Sequence, residues 1–198
     1  MDIEEQSLTS HGRDLMRNSL EIYALSYKIS FLLSASSDKS LILWDIEYGE
    51  KVRKLKGHLK CVNSCDISAK SGLLLSASDD GFVRVWDNRS ASSCRTFEFK
   101  HPITSALFAI DELRFFVAGV DPVIHVYDMR FGRPVESLAG HADIITGMCL
   151  SSDGSYLLSN GMDNLLCAWD IRPFLSNNGQ RLIRTFSGHS VITASLLY

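Results

Sequence analysis

The sequence lacks a long apolar run, an excess of either charge and a framework of paired cysteines. Its 20 Lys and Arg residues nearly balance 23 Asp and Glu residues, which leaves a formal net charge of −3. A protein that binds nucleic acid chiefly through phosphates normally carries a basic face, so any RNA contact is expected to be local or indirect. No segment has the pattern of a signal peptide or of a transmembrane span.

Cysteine is also scarce, and its arrangement indicates a cell compartment. The five cysteines are an odd number and are spread along the chain without regular spacing. This use of cysteine is typical of a reducing environment, because secreted domains of this size more often carry paired cysteines. The use of cysteine therefore predicts a reducing compartment, the nucleus or the cytoplasm.

The sequence does contain an internal repeat. Pairs of Trp or Tyr followed by Asp stand at 44–45, 86–87, 127–128 and 169–170, with spacings of 42, 41 and 42 residues. Gly-His pairs stand at 57–58, 140–141 and 188–189. Each repeat contains four short apolar runs broken by Gly, Asn, Asp or Ser, without a helical period, and this pattern predicts an all-β chain.

A period of about 40–45 residues marked by Gly-His and Trp-Asp is the signature of WD repeats. The chain resembles that family from about Leu20 to Tyr198. The resemblance implies a WD40-type β-propeller with about four four-stranded blades and a single strand of a fifth. We expect a flexible leader at 1–19 and a propeller at 20–198. Its expected repeats are about 20–56, 57–98, 99–139 and 140–187, with a partial fifth at 188–198.

The number of repeats is low for this family. Propellers close with about 4–8 blades, and the resemblance is to a seven-bladed architecture. Four repeats followed by the beginning of a fifth predict an incomplete part of such a propeller, in a truncated form of a longer protein. An open arc of blades would expose apolar sheet faces, and we expect such a chain to need a partner.

Two sets of residues have the composition of a hydrolase triad. They have identical spacing and comprise His58, Ser76 and Asp80 in repeat two and His141, Ser159 and Asp163 in repeat four. A nucleophilic site needs one activated serine beside one oxyanion hole, and a chain rarely carries two copies. The sequence therefore predicts no catalytic residue and no enzyme.

The resemblance to WD repeats implies a structural role for both sets. In that family His, Ser, Asp and Trp form a buried, hydrogen-bonded tetrad, which Trp86 and Trp169 complete in this sequence. Repeat one keeps Ser34, Asp38 and Trp44 but has no Gly-His pair. Loss of one member leaves buried partners unsatisfied, at a cost of roughly 1–3 kcal/mol each.

Repeat three departs furthest from the tetrad pattern. Val117 stands in place of Ser, Tyr127 in place of Trp, and His101 lies two residues late. Repeats two and four are therefore predicted to be the rigid ones.

A zinc site is a further possibility that the repeat argues against. His58, Cys61 and Cys65 have spacings that resemble a zinc ligand set. Repeat four places Ile144 and Met148 at the positions of the two cysteines. Free cysteine behaves as a small hydrophobic residue, so these positions are interpreted as apolar filler. We predict no metal and no cofactor.

Two stretches, Glu50–Ser68 and Leu138–Phe174, resemble the WD-repeat proteins of the spliceosomal U5 small nuclear ribonucleoprotein. This resemblance implies a non-catalytic scaffold for protein–protein contacts in pre-mRNA splicing. The implied partners are U5 proteins within a large assembly, with RNA contacted only indirectly. Neither a membrane nor a small-molecule substrate is expected.

Two other functions remain open from the sequence. Arg89 and Arg172 follow Trp-Asp in the WDxR pattern of substrate receptors of cullin-4 ubiquitin ligases, and Arg130 belongs to a Tyr-Asp variant. The competing interpretation is that these arginines pair with a nearby acid on the rim of the blade. The third possibility is a generic WD-repeat adaptor.

Overall fold

The computed structural model describes residues 31–68, 70–90, 92–173 and 181–188, and the backbone of 22–25. These residues form sixteen strands. No helix among them is long and apolar enough to cross a membrane. The leader predicted at 1–19 and the strand predicted after Gly188 lie outside the described residues.

The strands form four antiparallel sheets of four strands each, and in every sheet the neighbours follow chain order. Sheet 1 contains β1 (Ile22–Leu25), β2 (Phe31–Ala35), β3 (Ser40–Asp45) and β4 (Glu50–Lys56). Sheet 2 contains β5 (Val62–Ile67), β6 (Leu73–Ser78), β7 (Phe82–Asp87) and β8 (Ser93–Glu98). Sheet 3 contains β9 (Ile103–Phe108), β10 (Arg114–Gly119), β11 (Val123–Asp128) and β12 (Pro134–Ala139). Sheet 4 contains β13 (Ile145–Leu150), β14 (Tyr156–Gly161), β15 (Leu165–Asp170) and β16 (Leu182–Ser187). The all-β prediction with four-stranded units is confirmed.

Apolar side chains on both faces of the middle strands hold the sheets together. Leu74 and Leu75 are neighbours on β6 and therefore point to opposite faces. Leu74 lies in the core cluster shared with sheet 1, and Leu75 lies in the cluster shared with sheet 3. Both are fully buried, which explains why the run 73–75 is continuously apolar rather than alternating. A third cluster joins sheets 3 and 4.

The fourth strand of sheets 1, 2 and 3 adds polar bonds to the following sheet. Arg53 Nη1 on β4 donates to the carbonyl oxygen of Arg89 at 3.0 Å. Arg95, at the equivalent position on β8, donates to the carbonyl oxygen of Met129. On β12 this position holds Glu136, which pairs with Arg181 at the start of the last strand of sheet 4. Consecutive sheets are thus joined at their outer edge as well as through their cores.

The turn between the second and third strands of a sheet uses a residue with positive φ. Lys39, Gly81 and Asn164 have φ values of 71°, 80° and 64° at equivalent positions in sheets 1, 2 and 4. In sheet 3 the corresponding residue is Pro122. Proline holds φ near −65°, so this turn has a different conformation in sheet 3.

Candidate functional site

Four side chains of sheet 2 form one continuous chain of hydrogen bonds. Trp86 Nε1 donates to Ser76 Oγ at 2.9 Å, and Ser76 Oγ lies 2.8 Å from His58 Nε2. His58 Nδ1 lies 2.9 Å from Asp80 Oδ2. The ionised Asp80 carboxylate has no proton to donate, so the imidazole carries its proton on Nδ1 and donates to it. Nε2 of this neutral ring is then an acceptor, and the Ser76 hydroxyl donates to it.

Sheet 4 repeats this chain with nearly the same geometry. Trp169 Nε1 donates to Ser159 Oγ at 2.8 Å, Ser159 Oγ lies 2.8 Å from His141 Nε2, and His141 Nδ1 lies 2.9 Å from Asp163 Oδ2. The turn that follows His141 also binds the carboxylate, because the backbone N–H of Ala142 donates to Asp163 at 2.9 Å. The structure thus brings together all the members predicted for repeats two and four.

The charge state of the sheet 2 tetrad follows from burial and from its hydrogen bonds. Burial lowers the pKa of His58, although Asp80 acts to raise it, so the imidazole is neutral near pH 7. Burial acts to raise the pKa of Asp80, but the Leu59 N–H and the His58 ring lower it overall. The carboxylate is therefore ionised and accepts from the loop, which ties the Gly-His turn to the third strand.

The two serines are inaccessible to a substrate. Ser76 is 0% exposed and Ser159 is 1% exposed. Each hydroxyl is already engaged with a tryptophan and a histidine of its own sheet. A nucleophilic serine needs an open face beside an oxyanion hole, so this geometry serves packing rather than acyl transfer.

The zinc interpretation has no support from the geometry around Cys65. Cys65 is buried and its thiol contacts the carbonyl oxygen of Leu33 at 3.5 Å. His58 uses both ring nitrogens within its tetrad, and burial raises the pKa of the Cys61 thiol. Among the described residues no group of three potential ligands lies together.

The three arginines after the Trp-Asp and Tyr-Asp pairs differ in their partners. Arg130 pairs with Asp128 at 3.0 Å, and Arg172 pairs with Asp170 at 2.5 Å. Arg172 also lies over the ring of Tyr156, 5.9 Å from its centroid. Arg89 is exposed, and only its backbone is recorded in hydrogen bonds, including that with Arg53. Two of the three thus fold back onto the acid of their own strand.

Comparison with known protein families identifies the repeated unit. The family described as WD domain, G-beta repeat matches residues 49–87 and 132–170. The chain contains WD40 repeats. These two ranges hold the complete tetrads of sheets 2 and 4, so the matching repeats are those whose polar network is intact. The four sheets are accordingly blades of a WD40-type β-propeller, and we number them as the sheets are numbered.

Individual relatives of the WD40 chain include proteins named for splicing. It is 43% identical over 155 residues to the pre-mRNA-splicing factor cwf17 of Schizosaccharomyces pombe, covering 78% of this chain and 45% of that protein. It is 42% identical over 147 residues to the U5 small nuclear ribonucleoprotein 40 kDa protein of Homo sapiens, covering 73% and 40%. It is 32% identical over 168 residues to Protein SPA1-RELATED 3 of Arabidopsis thaliana, covering 83% and 20%. The chain spans less than half the length of each of these relatives.

Blade 1 keeps three of the four WD40 tetrad residues, and its aspartate has a different partner. Trp44 Nε1 donates to Ser34 Oγ at 2.9 Å. Asp38 pairs with Lys54 Nζ at 2.8 Å, and this hydrogen bond together with that from Ser40 lowers the pKa of Asp38 to about 2. Lys54 was not expected from the sequence, because its approach depends on the pairing of β4 with β3. The alternation of charged residues along β4 was the only available signal.

Blade 3 replaces the tetrad with a mainly apolar set. Phe99 lies four residues before the first strand, where His58 lies in blade 2, and its ring centroid is 5.0 Å from that of Tyr127. Val117 offers no hydroxyl, and the exposed His101 contributes no hydrogen bond that the structure records. Sequence comparison by residue type found the late histidine and missed Phe99, which only the distance to the strand identifies.

Proposed function

We propose that this chain is a non-catalytic scaffold for protein–protein contacts in a nuclear pre-mRNA splicing assembly, specifically the U5 small nuclear ribonucleoprotein. The observation that carries the proposal is its identity of 42–43% with two proteins named for splicing, against 32% with SPA1-RELATED 3. Different WD40 proteins share the fold without sharing a function, so the fold alone does not choose among them and the higher identity favours the splicing proteins.

The surface supports protein contact more than phosphate contact. The net charge is −3, and a surface of that charge does not attract a polyanion. Large apolar side chains stand exposed on turns between strands or blades, where Tyr48 is 73% exposed, Leu59 70% and Phe131 65%. Exposed aromatic and aliphatic residues of this kind are typical of contacts between proteins.

The test is affinity purification of the chain from nuclear extract, with co-purified proteins identified by mass spectrometry and RNA by northern blot. Recovery of U5 RNA together with large splicing proteins is the expected result. A variant carrying Leu59→Ser and Phe131→Ser tests whether the exposed side chains make the contact, and Ile183→Ser on sheet 4, at a side chain that is 53% exposed, is the matched surface control. Recovery of a cullin adaptor or of chaperones without U5 RNA would contradict the proposal.

A second candidate is a substrate receptor of a cullin-4 ubiquitin ligase, and one observation favours it. Arg89 is exposed and its side chain forms no recorded ion pair among the described residues. Arg130 and Arg172 weaken this candidate, because each is held by the acid of its own strand. Charge reversal of Arg89 and Arg172 together distinguishes the candidates, since unchanged binding to the ligase adaptor removes this one. A generic adaptor would instead recover neither U5 RNA nor the ligase adaptor.

A further inference from the structure

Blade 3 contains a cavity at the end of the blade where the other blades carry tetrad residues. Its volume is about 480 Å³, and Phe99, Val117 and Tyr127 are among the residues that line it. The pairing of strands places Val117 opposite His125, as Ser76 lies opposite Arg84 in blade 2. The cavity therefore lies at the tetrad position of a blade in which the tetrad histidine and serine are absent.

The acid of the tetrad remains in blade 3, but it has lost most of its donors. In blade 2 the carboxylate of Asp80 accepts from the His58 ring, the Leu59 N–H and the Phe82 N–H. Asp121 has the same place in blade 3, and its one recorded hydrogen bond among the described residues is with His125 Nε2 at 3.2 Å.

Two neighbouring residues explain why Asp121 has fewer hydrogen-bond donors than Asp80. Phe99 cannot donate as His58 does, and Pro122 prevents the turn that aims a backbone N–H at the acid. The side chain of Asp121 is 42% exposed, against 3% for Asp80, so its carboxylate retains acceptor capacity toward the cavity.

Aromatic and acidic groups together give this cavity the chemistry of a cation site. The rings of Phe99 and Tyr127 meet edge to face, with centroids 5.0 Å apart. A second carboxylate, Glu98, lies on the rim where blades 2 and 4 have the glycine of Gly-His. Lys100 and His101 also line the rim and are exposed, so their side chains can turn into solvent. Aromatic faces beside carboxylates attract cations, both through the ring quadrupole and through charge-assisted hydrogen bonds.

We propose that this cavity binds the side chain of an arginine presented by a partner protein. A planar guanidinium stacks against an aromatic ring and donates in a fork to a carboxylate, whereas an ammonium does only the second well. This inference rests on the proposed scaffold function and names the chemistry by which one partner is recognised. Tyr127 and Phe99 provide the apolar walls, and Asp121 provides the charge.

The test is fluorescence anisotropy of a labelled Gly-Arg-Gly peptide, blocked at both ends, titrated with the full chain. A control peptide has citrulline in place of arginine, which keeps the shape of the side chain and removes its charge. We expect its affinity to be at least about tenfold lower than that of the arginine peptide. Asp121→Asn is expected to weaken arginine binding about tenfold for the same reason, whereas Asp153→Asn in blade 4 serves as the matched control and leaves it unchanged.

A second variant keeps the acid but gives it a histidine partner within the blade, as His58 is the partner of Asp80 in blade 2. Phe99→His, Val117→Ser and Tyr127→Trp together restore the tetrad residues of blade 2, and we expect this variant to lose arginine binding. Equal binding of the arginine and citrulline peptides, or no binding of either, would overturn the proposal, as would full binding by Asp121→Asn. The peptide titration contains no splicing component. Failure of the peptide titration therefore says nothing about recovery of U5 RNA. Failure to recover U5 RNA likewise says nothing about whether the cavity binds arginine.

Discussion

Blades 2 and 4 carry His, Ser, Asp and Trp at equivalent positions, and corresponding hydrogen bonds differ by no more than 0.1 Å. Blade 3 has the same strands and the same pairing, yet it has Phe99, Val117, Asp121 and Tyr127 at these positions. The fold therefore does not require the polar network. A buried position must still either pair its polar groups or carry apolar ones, because a half-satisfied network leaves buried donors without partners.

The exposure of the tetrad aspartate differs among the blades and shows how each of them satisfies this carboxylate. The side chain of Asp80 is 3% exposed and that of Asp163 is 6% exposed, and each has a histidine partner. The side chain of Asp38, which pairs with Lys54, is 49% exposed, and that of Asp121 is 42% exposed. Where the sequence has no Gly-His pair before the first strand the carboxylate lies closer to the surface, since burying a charge without full hydrogen bonding is costly.

The largest loss of stability is expected from a substitution in blade 2, where the hydrogen-bonded tetrad is complete. Ser76→Ala removes the acceptor for Trp86 Nε1 and the donor for His58 Nε2, and we expect the free energy of unfolding to fall by about 3 kcal/mol. Urea denaturation measures the change. Ser137→Ala in blade 3, where the hydroxyl is exposed, is the control and is expected to have a negligible effect. Similar losses for the two variants would show that the tetrad does not stabilise blade 2.

The stability of the folded chain is expected to depend on pH through Asp66, which lies at the junction of blades 2 and 3. Burial raises the pKa of Asp66 to about 6, against which its hydrogen bonds from the Phe108 and Ile67 N–H groups act. A raised pKa in the folded state means that the folded chain binds the proton more tightly than the unfolded chain. The contribution of Asp66 to stability is therefore full below pH 3.8 and is lost as the pH rises through about 6.

The variant Asp66→Asn isolates this contribution. The stability of the natural chain minus that of the variant is expected to fall by about 2 kcal/mol between pH 4 and pH 6, because the pKa of Asp66 rises from 3.8 to about 6 on folding. Denaturation curves at several pH values give the difference. Asp153→Asn is the control, because hydrogen bonds hold the pKa of Asp153 at about 2, below this window. A difference that is constant with pH would contradict the prediction.

Hydrogen exchange compares the blades directly. Amides of β6 and β7 are expected to exchange more slowly than those of β10 and β11, by about tenfold, because opening blade 2 breaks a polar network that blade 3 lacks. Exchange followed by mass spectrometry of peptides from each blade measures this ratio. Equal protection in all four blades would contradict the expectation that blades 2 and 4 are the rigid ones.

The smallest effect is expected in blade 1. Lys54→Met removes the partner of Asp38 at a surface position, and exposed pairs contribute about 0.2–1 kcal/mol. The loss should shrink further in high salt, because ions screen an exposed pair. Denaturation in low and high salt tests this, with Lys56→Met on the same strand as the control. A loss as large as that of Ser76→Ala would mean that Lys54 substitutes fully for the histidine.

Much of this architecture was predictable because its signals are local. The spacing of Trp-Asp and Gly-His pairs predicted four four-stranded units, and residue type predicted which blades carry the whole tetrad. The residues that escaped prediction act across strands or blades. Lys54 reaches Asp38 from the neighbouring strand, and Arg95 reaches the carbonyl oxygen of Met129 from the preceding blade. Such contacts depend on strand pairing and on the distance between sheets, which no spacing along the chain encodes.

The sequence by itself determined the repeat, the strand-rich fold and the positions of two complete tetrads, because each depends on residue types at fixed separations. Only the tertiary structure decided how the incomplete blades satisfy their acids. It placed Phe99 against Tyr127 and left Asp121 beside a cavity, and it folded Arg130 and Arg172 onto Asp128 and Asp170. The physical reason is that a carboxylate takes the donors within hydrogen-bonding distance, and packing determines which donors those are.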